Sequence, residues 1–444
     1  MKQIYEDPAS VGHRPSVRAL AAGSVGNFIE WYEFGVYGYF ATVIAERFFT
    51  PAGGGTVEGL VKTYASFALA FFFRPVGAAL FGRLGDRIGR RPVLILVITL
   101  MTGATALIGL LPTYATVGVL APWLLTLLRV LQGLSAGGEF GGAVAVMTEF
   151  APPGRRGLYG AWQSFTVALG LLGGAGVAAA LASVLTEAQL SAWGWRLPFL
   201  LALPMGLGAL WLRLRLDETP PFREQTETAE TLPARDVVWA VALGAGRVMG
   251  WAAAGYAFLV VLPSYLQTAL HATFREALAA TVLANLGFAV TIIPAGVLSD
   301  RVGRRPVMLT GAGLVVVLAV PLLNLLQDGG SSTSVKGLAV FLAGAVVGLM
   351  AGPGPALLAE MFPTRVRCTG LGLAYSLSNA VFSGCAGLII TEAVKRTGNV
   401  DVPAYYAAAA CAVSMLALFK SGVGKAGWTD AGDRPDVGDV VRRH

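Results

Sequence analysis

Gly82-Arg83-Leu84-Gly85-Asp86-Arg87-Ile88-Gly89-Arg90-Arg91-Pro92 recurs 214 residues later as Gly296-Val297-Leu298-Ser299-Asp300-Arg301-Val302-Gly303-Arg304-Arg305-Pro306. Each copy is a short basic turn between two long apolar runs. A second pair repeats at nearly the same spacing. Glu149, followed by Pro152, Arg155, Arg156 and Gly157, matches Glu360, followed by Pro363, Arg365, Arg367 and Gly370, 211 residues on. One such loop is an ordinary polar turn, but two at matched positions mark a duplicated chain.

The runs around these turns decide the class. Of 444 residues 55% are hydrophobic and only 13% are charged, against about 25% charged in soluble domains. The hydrophobic residues fall in runs of about twenty, the length of helix that crosses a bilayer core of about 30 Å. Period-two alternation is missing, and backbone in lipid must bond internally, so the spans are helices rather than barrel strands. Six are expected near residues 19–44, 59–81, 92–111, 119–149, 157–183 and 196–214, called helices 1 to 6. Six more are expected near 237–268, 275–299, 306–326, 336–360, 369–391 and 402–420, called helices 7 to 12. The expected architecture is an all-α membrane protein with bundles at 19–214 and 237–420, tails at 1–18 and 421–444, and a charged, Thr- and Pro-rich linker at 215–236. Six helices separate the copies, so both halves point the same way across the membrane, related by an axis along its normal.

Net charge is +7, which in a soluble chain raises nucleic acid as a partner. Here the basic residues sit at span ends: 23 Lys and Arg lie on the side of both termini and the linker, 7 on the other, and three within spans. The positive-inside rule places both termini and the linker in the cytoplasm of a bacterial inner membrane, with lipid rather than nucleic acid as the surroundings. The polar first 17 residues and the long, acid-bearing run after them do not resemble a removable signal peptide.

The three cysteines lie in or beside apolar spans and form no disulfide framework or zinc-ligand pair. The three histidines, His13, His271 and His444, lie in a tail, a loop and the last position. No metal or cofactor is expected, nor a catalytic cluster within the spans, which argues against a membrane enzyme. The Gly-Gly-Ala-Gly of helix 5 follows no strand, so ATP drive is unsupported. A non-transporting sensor would normally add a sizeable cytosolic domain, and these tails are short. A carrier of a small-molecule substrate remains, with a monomer as the expected working unit.

Ionisable groups inside spans cost about 2.5–3.5 kcal/mol each at a helix centre, so they are the place to look for chemistry. They are Glu30, Glu33, Arg74, Arg129, Glu139 and Arg247. Glu33 lies roughly 16 Å from the far end of helix 1 and Arg129 about 15 Å into helix 4, at 1.5 Å per residue. The two charges therefore share one level near the midplane. They either pin helix 1 to helix 4 or couple a proton to transport, and coupling is the expectation for Glu33, Glu30 and Arg129. Arg247, the one in-span charge of the second bundle, either meets a backbone carbonyl or helix end, or faces a cavity and takes a substrate carboxylate. Arg74 and Glu139, nearer the cytoplasmic ends, are expected to snorkel or pair with loops. Tyr37, Trp162, Gln163, Tyr256, Asn285, Tyr375 and Asn379, polar or aromatic in apolar helices, are candidates to line the cavity with Arg247, although most such residues simply pack. In the doubled loop, Gly82 permits a tight turn, Asp86 and Asp300 can cap a helix, and Arg87, Arg90, Arg91, Arg301, Arg304 and Arg365 can bridge to Glu149 and Glu360. The expectation is a cytoplasmic clamp that holds one conformation and breaks in the other.

The doubled loop resembles the signature of the major facilitator superfamily. Within it the chain is similar to the metabolite:proton symporters, carriers of organic acids, shikimate, proline or betaines. The matching segments are Gly26 to Phe34 with Tyr37-Gly38, Arg74-Pro75, Arg129 to Gly133, and Gly137-Gly138-Glu139, and the likeness covers residues 18–420. Glu33 stands where the family usually has aspartate, and Ser376 where it usually has asparagine. The resemblance implies proton-coupled symport of an organic acid or zwitterion by alternating access; sodium coupling or exchange is the alternative.

Overall fold

The computed structural model describes residues 17–50, 55–88, 90–149, 151–214, 234–362 and 364–420. Among them the long helices are α1 (Val17–Tyr39), α2 (Thr56–Ile88), α3 (Arg90–Leu110), α4 (Leu120–Ala136, resuming as Phe140–Glu149), α5 (Arg156–Val184) and α6 (Arg196–Leu214). The second set is α7 (Ala234–Gly255, continuing to Leu262–Ala269), α8 (Phe274–Val302), α9 (Arg304–Gln327), α10 (Thr333–Ala351, resuming as Gly354–Ala359), α11 (Thr364–Ser378, continuing to Ala386–Thr397) and α12 (Val402–Phe419). Ten of the described helices are long and apolar enough to cross a membrane, and Leu120–Ala136 is a shorter apolar one. The tails and most of the linker proposed between the bundles lie outside the described residues.

Helix ends follow local chemistry. Thr273 and Glu276 cap α8 reciprocally, and Ser332 caps α10. Between α8 and α9 the chain turns at Gly303 with φ 96°, a conformation that side chains with a Cβ resist. The interruptions of α7 and α11 are single wide turns, Tyr256–Val260 and Asn379–Gly384, a deformation frequent at functional sites.

Packing repeats the duplication. In the first half α1 packs on α5 and α6, α2 on α4, and α3 on α4 and α6; in the second, α7 packs on α11 and α12, α8 on α10, and α9 on α10 and α12. The halves meet through α5 against α8 and α2 against α11, pairs that also exchange under the repeat. The α2–α4 crossing requires glycine: a Cβ at Gly133 would lie 1.9 Å from the Ala70 carbonyl oxygen, and one at Gly137 1.9 Å from that of Arg74. The α8–α10 crossing repeats this at Gly344, where a Cβ would lie 1.8 Å from the Ala284 carbonyl oxygen. Small residues four apart let helices approach closely where lipid supplies no hydrophobic drive.

Candidate functional site

Three arginines and three acids are buried or nearly buried in the first half: Glu30, Glu33, Arg74, Arg129, Glu139 and Arg213. Glu33 and Arg129 are both fully buried, with 0% exposure, but they form no direct ion pair. The Thr105 hydroxyl donates to Glu33 Oε2 at 2.7 Å and accepts from Gln132 Nε2 at 2.6 Å, and Gln132 Oε1 accepts from Arg129 Nη1 at 2.6 Å. The expected contact is thus a relay through α3, because Thr105 and Gln132 occupy the space between α1 and the arginine. Glu33 Oε1 has no partner among the described residues. The Arg129 guanidinium lies 4.1 Å from the Tyr37 ring and 4.8 Å from that of Phe67, where the ring faces attract it.

Arg74 corrects a second expectation. It does not snorkel: it is 3% exposed, and its Nη2 lies 3.3 Å from Glu30 Oε1. The rings of Phe34 and Phe71 flank its guanidinium at 4.3 and 4.2 Å. Arg74 is held because Gly137 lets α4 close over its backbone. Glu139 pairs with Arg213 of α6, whose Nη1 also donates to the Leu94 carbonyl at 2.8 Å. Arg213 was passed over because it sits at a span end, where the charge pattern suggests solvent.

Between the halves lies a cavity of about 30 Å³, room for about two waters. Trp31, Trp251, Tyr256, Phe288, Tyr375, Asn379 and Ser383 form its aromatic and polar wall. Tyr375 stacks on Phe140, with centroids 3.5 Å apart, and lies 5.7 Å from Trp251. Asn379 donates to the Tyr375 carbonyl at 2.9 Å and accepts from the Ser383 hydroxyl at 2.8 Å. The wide turns of α7 and α11 begin at Tyr256 and Asn379, so both line the cavity where their helices deform.

Of the expected lining residues, Tyr256, Tyr375 and Asn379 are in place and the others are not. Arg247 donates to the carbonyls of Ala417 (3.3 Å) and Lys420 (2.8 Å) at the end of α12. Its charge is met by a helix C-terminus, so it needs no substrate carboxylate. Trp162 is 45% exposed and donates to Ser24. Gln163 joins Asn27, whose amide donates to its carbonyl at 3.1 Å. Asn285 bridges α8 to Leu259 and Tyr39, and the Tyr37 hydroxyl meets Ser66 at 2.6 Å. Each of these makes a bond between helices, although Gln163 Oε1 and Asn285 Oδ1 have no partner among the described residues. Trp31 and Trp251 were overlooked because most tryptophans in apolar helices pack or sit at the membrane interface. Thr105 and Gln132 carried the same signal as Asn285, a polar side chain deep in an apolar run.

At the end of the bundle that carries the described chain ends, Asp300 accepts from the backbone N–H of Gly157 (2.8 Å) and Leu158 (2.9 Å) at the start of α5. Arg304 ties it down, with Nη1 2.7 Å from Asp300 and Nη2 3.2 Å from Glu360. Arg301 is exposed. The side chains of Gly82, Asp86, Arg87, Arg90, Arg91, Glu149 and Arg365 lie outside the described residues. At the opposite end Tyr64 bonds Ser264 at 2.7 Å and Thr42 donates to Gln267 at 3.1 Å. The halves therefore touch at both ends of the small cavity.

Residues 19–231 match the family model described as "Sugar (and other) transporter", and residues 248–436 match "Major Facilitator Superfamily". The chain is 34% identical to a glycine betaine/proline/ectoine/pipecolic acid transporter of Dickeya dadantii, over 90% of this chain and 82% of that one. It is 36% identical to an alpha-ketoglutarate permease of Escherichia coli, over 84% and 86%. The fold superposes on the E. coli xylose transporter XylE in a partially occluded, inward-open conformation with a TM-score of 0.71 at 19% identity, over 90% of this chain and 95% of that one. Duplicated loops, mirrored packing and these relatives agree: the chain is a membrane transporter, not an enzyme, and belongs to the major facilitator superfamily.

Proposed function

We propose that this chain is a proton-coupled symporter of a small zwitterion, a carboxylate joined to a methylated or ring ammonium. It works as a monomer by alternating access in a bacterial inner membrane, with both termini in the cytoplasm. The observation that carries the substrate class is the wall of the cavity. Trp31, Trp251, Tyr256, Phe288 and Tyr375 line it among aliphatic side chains, and no arginine or lysine is among the described residues lining it. Aromatic faces attract a soft, poorly hydrated ammonium, whereas a dicarboxylate would need cations there. This favours the betaine and proline carriers among the relatives over the alpha-ketoglutarate permease.

Coupling rests on the first half. Among the described residues its two buried acids and the nearly buried Glu139 match its three buried arginines in number. A proton on Glu33 breaks the relay at Thr105 and leaves one positive charge without a counter-charge in the bundle. The carboxylate of the substrate supplies it, so proton and substrate enter together. The membrane potential adds about 2.3 kcal/mol per 100 mV for each charge moved. Asp300 on the N-terminus of α5 serves as the clamp of the closed cytoplasmic end, and a matching role for Asp86 at α11 follows from the repeat. Substrate entry requires the aromatic wall to part, since the cavity holds only water-sized groups.

Proteoliposomes with an imposed pH gradient, inside alkaline, test the proposal. Labelled glycine betaine or proline accumulates above its external concentration, and collapse of the gradient abolishes it. Accumulation of alpha-ketoglutarate instead, or uptake that follows a sodium gradient at constant pH, overturns it.

A further inference from the structure

The Arg74 guanidinium is buried and ringed by aromatics, yet neither Nε nor Nη2 has a hydrogen-bond partner among the described residues. These two nitrogens form one edge of the fork, the edge that grips a carboxylate with two parallel bonds. Glu30 lies beside that edge at 3.3 Å, without the geometry to satisfy it. Arg129 has the same two nitrogens unpartnered, but the rings over it, Phe34, Tyr37 and Phe67, do not line the cavity. Arg74 is different. Trp31, 5.6 Å from its guanidinium, is itself a wall of the cavity, and Phe71, 4.2 Å from it, lies 5.4 Å from the cavity residue Tyr256. One layer of rings separates the guanidinium from the cavity.

We infer that Arg74 is the docking point for the carboxylate of the substrate, reached when Trp31 and Tyr256 part, and that the substrate and Glu30 compete for it. The inference rests on the zwitterion reading above and extends it to a named residue. With the ammonium held between the aromatic walls, the carboxylate points toward α2 and takes the Nε–Nη2 edge. Two carboxylates then face one guanidinium in a site closed to water. One negative charge is uncompensated, and Glu30 sheds it by taking a proton from solution. The proton adds to a carboxylate oxygen and no other bond changes. Arg74 thereby ties occupancy by substrate to protonation of the bundle, and gives the one proton that enters with the substrate a second place to reside, Glu30 as well as Glu33. Lysine at this position would keep the charge and lose the two-bond edge.

Binding to the purified full chain, followed by tryptophan fluorescence, tests this with glycine betaine and with choline, which has the same ammonium and no carboxylate. Arg74→Lys raises the dissociation constant for glycine betaine tenfold or more, about 1.4 kcal/mol, and leaves choline unchanged. Glu30→Gln acts in the opposite direction, tightening glycine betaine about threefold or more, about 0.65 kcal/mol, because the competitor is gone; this holds even if Arg74→Lys does not fold. Wild-type affinity for glycine betaine in Arg74→Lys, or weaker binding in Glu30→Gln, overturns the inference and leaves the zwitterion reading standing. A wild-type protein that binds neither glycine betaine nor proline removes that reading and this inference with it.

Discussion

The two halves pack alike and are charged differently. Helix for helix, α1 to α6 and α7 to α12 make the same pairings, and glycines open the α2–α4 and α8–α10 crossings in the same way. Yet among the described residues the first half gathers six ionisable side chains in its interior, while the one deep ionisable arginine of the second, Arg247, serves the end of α12. Duplication therefore preserved the scaffold and left the interior chemistry free to diverge. In the function proposed above, the first half holds and releases the proton. The second supplies four of the five aromatic residues that line the cavity and the wide turns that shape it.

The largest test of this division is Glu33→Gln. A permanently neutral side chain at the end of the relay abolishes uphill accumulation, at least a tenfold loss under a gradient of one pH unit, about 1.4 kcal/mol. Exchange of internal for external substrate persists. Wild-type accumulation in this variant returns Glu33 to a purely structural role and ends the division of labour. The shared scaffold is tested by placing valine at Gly133 and, separately, at Gly344. Both should destabilise the protein by about 1–3 kcal/mol, lowering the melting temperature in detergent together, while Gly103→Ala, which faces open space inside a helix, does not lower it and gains up to about 1 kcal/mol from helix propensity. A drop for one and not the other breaks the symmetry.

Asp300→Asn removes the charge from the two N–H groups of α5. Its loss should cost the closed end that carries Asp300 about 1–2 kcal/mol and raise labelling of cysteines introduced on that side of the cavity. Asp86→Asn should do the same if the clamp is duplicated; unchanged labelling in both counts against it. Arg247→Gln lowers stability by about 1.5–3 kcal/mol, the worth of hydrogen bonds from a charged donor, and leaves the affinity for glycine betaine as it was. A tenfold loss of affinity would restore Arg247 to the substrate site. The smallest effect is Trp162→Ala, which should leave the affinity for glycine betaine within error because the ring lies outside the cavity and gives up only its bond to Ser24.

The spans and the repeat were legible in the chain because they rest on local and periodic facts: run length against bilayer thickness, and loops recurring at one spacing. The helices begin and end within a few residues of the apolar runs, and Glu30, Glu33 and Arg129 stand out in any hydropathy reading because buried charge is costly. The identity of partners was not legible. Depth along a helix places Glu33 and Arg129 at one level, but the direction each side chain takes depends on the rotation of its helix and on what a third helix inserts. Thr105 of α3 made a contact into a relay. Arg247 and Arg74 were both arginines in apolar runs, and only packing sent one to a helix end and the other to the aromatic rings beside the cavity. Sequence by itself determined the fold, the orientation of the repeat and the short set of costly residues, since each follows from transfer energies summed along the chain. The tertiary structure alone decided which of those residues meet, because contact between helices far apart in sequence is set by shape, not by composition.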